Sequence, residues 1–194
     1  MFPNDKNKKM QPLIAYIEKF VKLDSAAIEA LKKLAEVETY AKNQHILEQG
    51  QRCNKIWFII SGMVRRYYFH DEKELTIWIH TENETFTSLQ SYSLLIPSDE
   101  YIQACEKTVA VSITHENSEK LIRFPQIEIF TKALMGKAFV NKDAYSKAFS
   151  TKDARGRYEY LQKIAPEMIK RAKLGHIASV LGISQETLSR IRKG

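Results

Sequence analysis

The sequence is poor in cysteine and glycine. Its two cysteines, Cys53 and Cys105, stand far apart and cannot form a four-cysteine zinc or iron–sulfur site, so we expect them to be reduced thiols. Only 7 glycines occur among 194 residues, which leaves little material for a phosphate-binding loop. Neither that motif, nor a nucleophile elbow, nor a zinc signature is found. These absences argue against an enzyme and against a metal or other cofactor.

Long apolar runs are also lacking. A helix needs about 20 consecutive apolar residues to cross a bilayer, and this chain has no such run. The N-terminal segment 1–12 is polar and has no apolar signal core, so we expect a cytoplasmic protein without a membrane partner. With 44% hydrophobic residues, the chain can bury a core and is long enough for two modest domains.

Positive charge is concentrated near the C-terminus. The formal net charge of the chain is +7, and residues 151–194 hold 10 basic and 4 acidic side chains, which places nearly all of that excess there. A segment of this kind attracts a phosphate backbone without regard to its sequence. A basic surface for a membrane or for an acidic protein is the competing explanation.

The segment 174–194 has the pattern of a helix-turn-helix. Ile177 and Leu181 would bury one face of the first helix, and Gly182 suits a turn that requires positive φ. Ser184 is a good N-cap for the second helix. Ala178 is small where the second helix would cross close above it. Further positions that suit core packing are Ile183, Leu188 and Ile191. The pattern favours DNA over the other partners of a basic surface.

The exposed side of the second helix carries side chains that can contact bases and phosphates. Glu186 would accept a hydrogen bond from a cytosine N4 amine, and Arg190 would reach guanine O6 and N7. Phosphate contacts from neighbouring residues would position the helix without specifying sequence. The predicted DNA-contacting residues are Ser184, Gln185, Glu186, Thr187, Ser189, Arg190, Arg192 and Lys193. The alternative is an ordinary core-packing helix pair with a solvated polar face.

Short apolar or alternating runs, separated by turn residues, fill residues 37–113. Two helices are predicted before them, at 12–22 and 25–36, with Asp24 as a candidate cap. In the run 75–80, Leu, Ile and Ile alternate with Thr, Trp and His, which predicts a half-buried strand. Many short strands within about 80 residues favour a small β-barrel or jelly roll. The aromatic residues of this region are expected to fill its core rather than line an effector pocket; they are Trp57, Phe58, Tyr67, Tyr68, Trp78 and Phe86.

The order of these motifs resembles the Crp/Fnr family of bacterial transcription regulators. The residues that carry the resemblance are EQG ending at Gly50, IWFIISGMVRRYY around Gly62, the polar hairpin loop 70–74, LTIWIH, and the helix-turn-helix. It covers roughly residues 12–194. The resemblance implies a cyclic-nucleotide-binding-like β-roll, a homodimer, double-stranded DNA with an inverted-repeat operator, RNA polymerase as a partner, and an effector that the sequence does not identify.

Residues 126–149 contain no proline and predict one long helix. Apolar residues spaced by three or four form a seam that is typical of a coiled coil. An inverted-repeat operator needs two-fold symmetry, which favours a dimer. The predicted dimer contacts are Ile127, Phe130, Leu134, Ala138, Asn141 and Tyr145. The alternative is that this helix packs on its own β-roll, and both arrangements can hold on different faces.

The resemblance alone would suggest cyclic AMP as the effector. Cyclic-nucleotide-binding members hold the ribose with a Gly-Glu pair and the phosphate with a later Arg. Here Ser88 and Leu89 stand about where Gly-Glu should be, Asp99 and Glu100 stand about where the Arg should be, and residues 86–105 contain no Arg or Lys. Because an acidic pair repels a phosphate, we predict that cyclic AMP is not the effector.

These observations predict an α+β protein with three parts. Residues 1–125 would form a β-roll or jelly-roll sensor domain, residues 126–150 a dimerisation helix, and residues 151–194 a helical helix-turn-helix domain. The function predicted is sequence-specific DNA binding in transcription regulation. The second hypothesis is a ligand-binding or protein-interaction module whose DNA-binding domain is vestigial.

Overall fold

The computed structural model describes residues 3–194, with side chains from residue 5 onward. Two helices come first, α1 (Pro3–Ile17) and α2 (Ser25–Leu34). The strands that follow are β1 (Glu36–Tyr40), β2 (His45–Leu47), β3 (Lys55–Ser61), β4 (Val64–His70), β5 (Lys73–His80), β6 (Thr85–Phe86), β7 (Tyr101–Ala104) and β8 (Thr108–Thr114). The other helices are α3 (Leu89–Leu94), α4 (His115–Leu121), α5 (Pro125–Thr151), α6 (Ala154–Ile164), α7 (Pro166–Arg171), α8 (Leu174–Leu181) and α9 (Gln185–Lys193).

The strands form two four-stranded antiparallel sheets, in the orders β1-β8-β3-β6 and β2-β7-β4-β5. One core lies between the sheets, where Trp57 stacks on Phe86 with ring centroids 5.2 Å apart and Ile102 is fully buried. The other face of the first sheet, with Phe58 and Val111, packs against the helices that precede and follow the strands. The α+β class and the β-roll predicted from the sequence are therefore confirmed.

The first two helices differ from the prediction in their ends. α1 starts well before residue 12 and includes Pro12 in its interior, because Met10 upstream extends the apolar face to which Leu13 and Ile17 belong. It ends at Ile17, and the following residues form turns. α2 ends at Leu34 rather than at residue 36, because Glu36 already pairs with β8. The predicted cap is confirmed, since the Asp24 carboxylate accepts a hydrogen bond from the Ala27 N–H at 2.7 Å.

The predicted turns of the β-roll are confirmed. At Gly62 the φ angle is +102°, and a Cβ there would lie 2.5 Å from Thr108 Oγ1, so both the turn and the close approach require glycine. The polar loop between β4 and β5 turns at Asp71 and Glu72, with φ angles of 47° and 61°. Two consecutive positive φ angles are typical of a type I′ hairpin.

The alternation predicted for residues 75–80 is partly wrong. The pairing of β4 with β5 shifts between Arg66 and Tyr67, so that Ile77 is left as an extra residue in β5. Such a bulge changes which face the following residues occupy. Ile79 is buried as predicted, but Thr76, expected on the exposed face, is only 3% exposed.

The cause of the burial of Thr76 is the C-terminal domain, which docks on β5. The Thr76 N–H donates to Ser179 Oγ of α8 at 2.8 Å. Nearby, Arg171 of α7 donates to both carboxylate oxygens of Glu82, at 2.7 and 3.0 Å, and also to Glu106. One hydrophobic core therefore continues from Ile79 of the β-roll into the helical domain.

Candidate DNA-binding surface and sensor cavity

The turn between α8 and α9 has the geometry that ends a helix sharply. Gly182 adopts the left-handed conformation with φ +66°, and its N–H donates to the Ser179 carbonyl at 3.0 Å. The Ile183 N–H donates to the Ala178 carbonyl at 3.0 Å, which completes a Schellman motif. The buried residues Ile177, Ala178, Leu181 and Leu188 then fix the two helices against each other. The helix-turn-helix pattern of the sequence thus forms in the structure.

The start of α9 is capped as predicted. Ser184 Oγ accepts a hydrogen bond from the Thr187 N–H at 3.2 Å. The pKa of Glu186 is lowered chiefly by its own backbone N–H, with further help from the Ser184 hydroxyl and the charge of Arg190. A carboxylate in the first turn also suits the helix dipole. Glu186 is therefore an ionised, solvent-exposed acceptor at neutral pH.

The predicted DNA-contacting residues fall into two groups. Those that are exposed on α9 or at its cap are Ser184, Gln185, Glu186, Arg190, Arg192 and Lys193, whereas Thr187 and Ser189 are half-buried. Within the exposed group, the Arg190 side chain donates a 3.3 Å hydrogen bond from Nη2 to Thr187 Oγ1. Arg192 instead turns back toward its own domain, where Nη2 donates to the Ile169 carbonyl at 3.1 Å and the guanidinium lies 5.8 Å from the Tyr158 ring centroid.

One contact of the helix pair was missed by the sequence reasoning. The amide of Gln185 lies over Gly175 in the first turn of α8, where a Cβ would be 2.9 Å from Gln185 Nε2. The small residue at the crossing was expected at Ala178, which is indeed buried. Gly175 is a second position at which only a small residue fits beneath α9. The feature of the sequence that could have indicated it is a glycine close to the start of a predicted helix.

The residues of the seam predicted on α5 lie in different environments. Ile127 and Phe130 are buried against α1 and its following turn, with the Phe130 ring 5.5 Å from that of Phe20. Leu134 packs partly on the same core. At the other end of the helix, Tyr145 packs edge-on against Trp78 of β5 at 5.4 Å. The remaining two predicted contacts, Ala138 and Asn141, are exposed.

Large apolar side chains of α5 outside this seam are exposed. Ile129 is 51% exposed, Met135 66%, Phe139 76% and Val140 65%. The sequence reasoning missed them because it followed one seam spaced by three and four residues. The signal that could have found them is the adjacent pair Phe139 and Val140 in an otherwise polar stretch.

A cavity of about 500 Å³, which we call the sensor cavity, opens between β4, β5, α3 and α5. Its lining includes Arg66 and Tyr68 of β4, Asp99 and Glu100 before β7, and Lys142 of α5. Tyr68 thus lines the cavity rather than the core where it was expected, whereas Trp57, Phe58, Tyr67 and Phe86 are buried.

One carboxylate of the acidic pair Asp99 and Glu100 is bound to an arginine of the same chain. Arg66 donates from Nε to Glu100 Oε2 at 3.0 Å and from Nη2 to Glu100 Oε1 at 2.9 Å. This cation comes from a strand 34 residues upstream, so a search of residues 86–105 could not find it. Of the two residues, Asp99 is exposed and has no ion-pair partner in the described part of the chain.

Residues 3–194 contain neither a cluster of metal-binding side chains nor a helix suited to cross a membrane. No group of three or more His, Cys, Asp or Glu side chains is arranged so that it could hold a metal ion. No helix in this range combines the length and the apolar character that a membrane crossing requires.

Along the chain, a β-roll is followed by one long helix and then by a basic helix-turn-helix. Residues 37–123 match the family model of the cyclic nucleotide-binding domain. This part of the chain is therefore similar to cyclic nucleotide-binding domains, and the chain has the Crp/Fnr fold.

Similar solved structures support the assignment of the fold. The catabolite activator protein of Thermus thermophilus is 22% identical, with 90% of this chain and 84% of that chain covered and a TM-score of 0.55. FixK2 of Bradyrhizobium japonicum is 19% identical, with coverages of 82% and 83% and a TM-score of 0.65. A proposed Crp/Fnr-family transcriptional regulator from Eubacterium rectale is 18% identical, with coverages of 88% and 82% and a TM-score of 0.63. No curated protein sequence gives a significant match.

Proposed function

We propose that this protein is a homodimeric transcription regulator of the Crp/Fnr type, which binds an inverted-repeat DNA operator through α9. The observation that carries the proposal is the exposed face of α9, where Glu186 and Arg190 lie beside each other on a helix that is capped and held by the Schellman turn. The Crp/Fnr-type fold of the solved structures supports it. The proposal includes RNA polymerase as a partner and the cytoplasm as the location.

Base recognition in this proposal rests on Glu186 and Arg190. Glu186 accepts from a cytosine N4 amine, and Arg190 donates to guanine O6 and N7 once it releases Thr187. Lys193 and the N-terminal end of α9 contact phosphates. Arg192 is assigned a structural part, because its guanidinium is already bound to the Ile169 carbonyl.

Dimerisation is proposed through the exposed apolar side chains of α5. Met135, Phe139 and Val140 lie on a segment of the helix that touches little else in the chain. Met135 also borders an apolar groove of about 310 Å³ between α5, α4 and the first sheet. Contiguous exposed apolar surface of this kind marks an interaction site. A second copy related by two-fold symmetry covers the same surface on both chains.

The salt dependence of duplex binding tests the proposal. We expect the logarithm of the association constant to fall linearly with the logarithm of salt concentration, because each neutralised phosphate releases counterions. Lys193→Ala should weaken all duplexes about equally and lower the slope by about 1. Fluorescence anisotropy with a labelled duplex measures both. Absence of binding at low salt would instead support the alternative, a ligand-binding or protein-interaction module with a vestigial DNA-binding domain.

A further inference from the structure

The segment 88–100, which we call the α3 loop, is held in shape by its own hydroxyl groups. Ser88 Oγ and Ser98 Oγ are hydrogen-bonded at 3.0 Å, and Ser91 Oγ donates to the Ile96 carbonyl at 2.6 Å. These serines are almost completely buried, with 1 to 3% exposed. Ser98 Oγ also donates to the Glu100 carbonyl at 2.9 Å. The loop therefore fixes the position of Glu100 without any ligand.

Both oxygens of the Glu100 carboxylate, at the end of the α3 loop, are hydrogen-bonded to Arg66. Glu100 has 7% of its side chain exposed and accepts two hydrogen bonds from the Arg66 guanidinium in the fork-to-fork geometry. That geometry is the one in which an arginine binds a phosphate or a carboxylate from a ligand. Among the described residues that line the cavity, Arg66 is the sole arginine, and Lys142 is the other basic side chain.

We propose that Glu100 is an internal anion that occupies the arginine of the sensor cavity and thereby excludes phosphate-bearing ligands. Glu100 is then the residue that determines the specificity of this cavity. An incoming phosphate would have to displace Glu100, which would leave a buried carboxylate without its cation. It would also meet the negative charge of Asp99 at the same side of the cavity.

Removal of the internal anion should convert the cavity into an anion site. In Glu100→Ala, the Arg66 guanidinium loses its partner and faces the cavity of about 500 Å³ together with Lys142. Glu100→Gln keeps the shape of the side chain but not its charge, so its effect should be in the same direction and smaller. In the double variant Arg66→Ala, Glu100→Ala, the guanidinium is absent and the gain should disappear. The cavity lies between the β-roll and α5, and anion binding in it does not depend on DNA binding.

Isothermal titration of the full chain with cyclic AMP, in a buffer free of phosphate and sulfate, is the test. The wild type should show no binding below millimolar concentration. Glu100→Ala should bind at least about 10-fold more tightly than the wild type, a change of about 1.4 kcal/mol. The double variant should return to the wild-type result.

Three outcomes would overturn the proposal. They are a wild-type Kd below about 100 μM, no gain in a folded Glu100→Ala, and a gain that persists in the double variant. Near-ultraviolet circular dichroism reports whether each variant keeps its tertiary packing. If Glu100→Ala does not fold, Glu100→Gln carries the same test, and a folded Glu100→Gln without any gain also contradicts the proposal.

Discussion

At the residue scale, His176 shows how docking of the two domains changes the chemistry of a side chain. It lies on α8, half-buried, and its Nδ1 atom is buried without a hydrogen-bond partner in the described structure. Burial lowers the pKa of His176 to about 4, and the nearby charges of Arg65 and Lys173 act in the same direction, against a smaller opposing effect of Glu74. His176 is therefore neutral in the folded protein at pH 7.

A pH dependence of stability follows from this pKa. In the unfolded chain His176 binds a proton near pH 6.5, whereas in the folded chain it does so only near pH 4. The contribution of neutral His176 to the free energy of unfolding is therefore complete above pH 6.5 and is lost as the pH falls toward 4. Between pH 7 and pH 5 the wild type should lose about 1–2 kcal/mol of unfolding free energy more than His176→Gln. Urea denaturation of both proteins at these pH values measures the difference. An identical loss in both would show that His176 is not responsible.

At the element scale, α5 serves two purposes along its length. Its first turns, with Ile127 and Phe130, hold the sensor core together, and its last turns, with Tyr145, contact β5 and the C-terminal domain. The middle of the helix, near Phe139, is left exposed. A helix that carries large apolar side chains on an exposed segment gains most of its stability there from a partner.

Introducing charge into this exposed segment should dissociate the proposed dimer. Phe139→Glu combined with Val140→Glu places like charges opposite each other across a two-fold contact, and sedimentation should then show a folded monomer. The comparison variant is Phe130→Glu, at a position only 8% exposed, which should damage the sensor core and lower the melting temperature instead. A wild type that is monomeric at micromolar concentration would contradict the proposed dimer.

Features of the fold that depend on neighbouring residues can be predicted from this sequence, whereas features that depend on a distant segment cannot. The cap at Asp24, the turn at Gly182 and the cap at Ser184 depend on residues a few positions away, so the sequence predicts them correctly. The bulge at Ile77 depends on the register of a neighbouring strand. The partner of Glu100 lies on another strand, and the periodicity of one segment contains no information about it.

At the scale of the whole molecule, ion pairs as well as the covalent helix α5 connect the β-roll to the C-terminal helices. Arg171 bridges Glu82 and Glu106, which lie in two different loops of the β-roll. Burial raises the pKa of Glu82. The hydrogen bond from Arg171 and two backbone N–H groups, including that of Gly62, lower this pKa by a larger amount, so the net shift is downward. The Glu82 carboxylate is therefore ionised and available to hold the arginine at neutral pH.

Removing this guanidinium should loosen the docking of the two domains. Arg171→Ala leaves Glu82 and Glu106 without their cation, and we expect a loss of about 2–3 kcal/mol and a broader or divided thermal transition. Lys170→Ala, an exposed neighbour on the same helix, is the matched control and should change little. Differential scanning calorimetry distinguishes the two variants. Equal melting curves for Arg171→Ala and the wild type would refute the role of the Arg171 ion pairs in docking the two domains.

In vitro selection from a random duplex library is the sharpest test of the proposal that a dimer of this chain reads a specific DNA sequence with α9. The wild type should select an inverted repeat whose half-sites are about 10 base pairs apart, centre to centre. Arg190→Ala should lose about 1–3 kcal/mol of discrimination at one base pair of each half-site, whereas Arg192→Ala should select the same consensus. Selection of no consensus by the wild type, or an unchanged consensus with Arg190→Ala, would contradict the account.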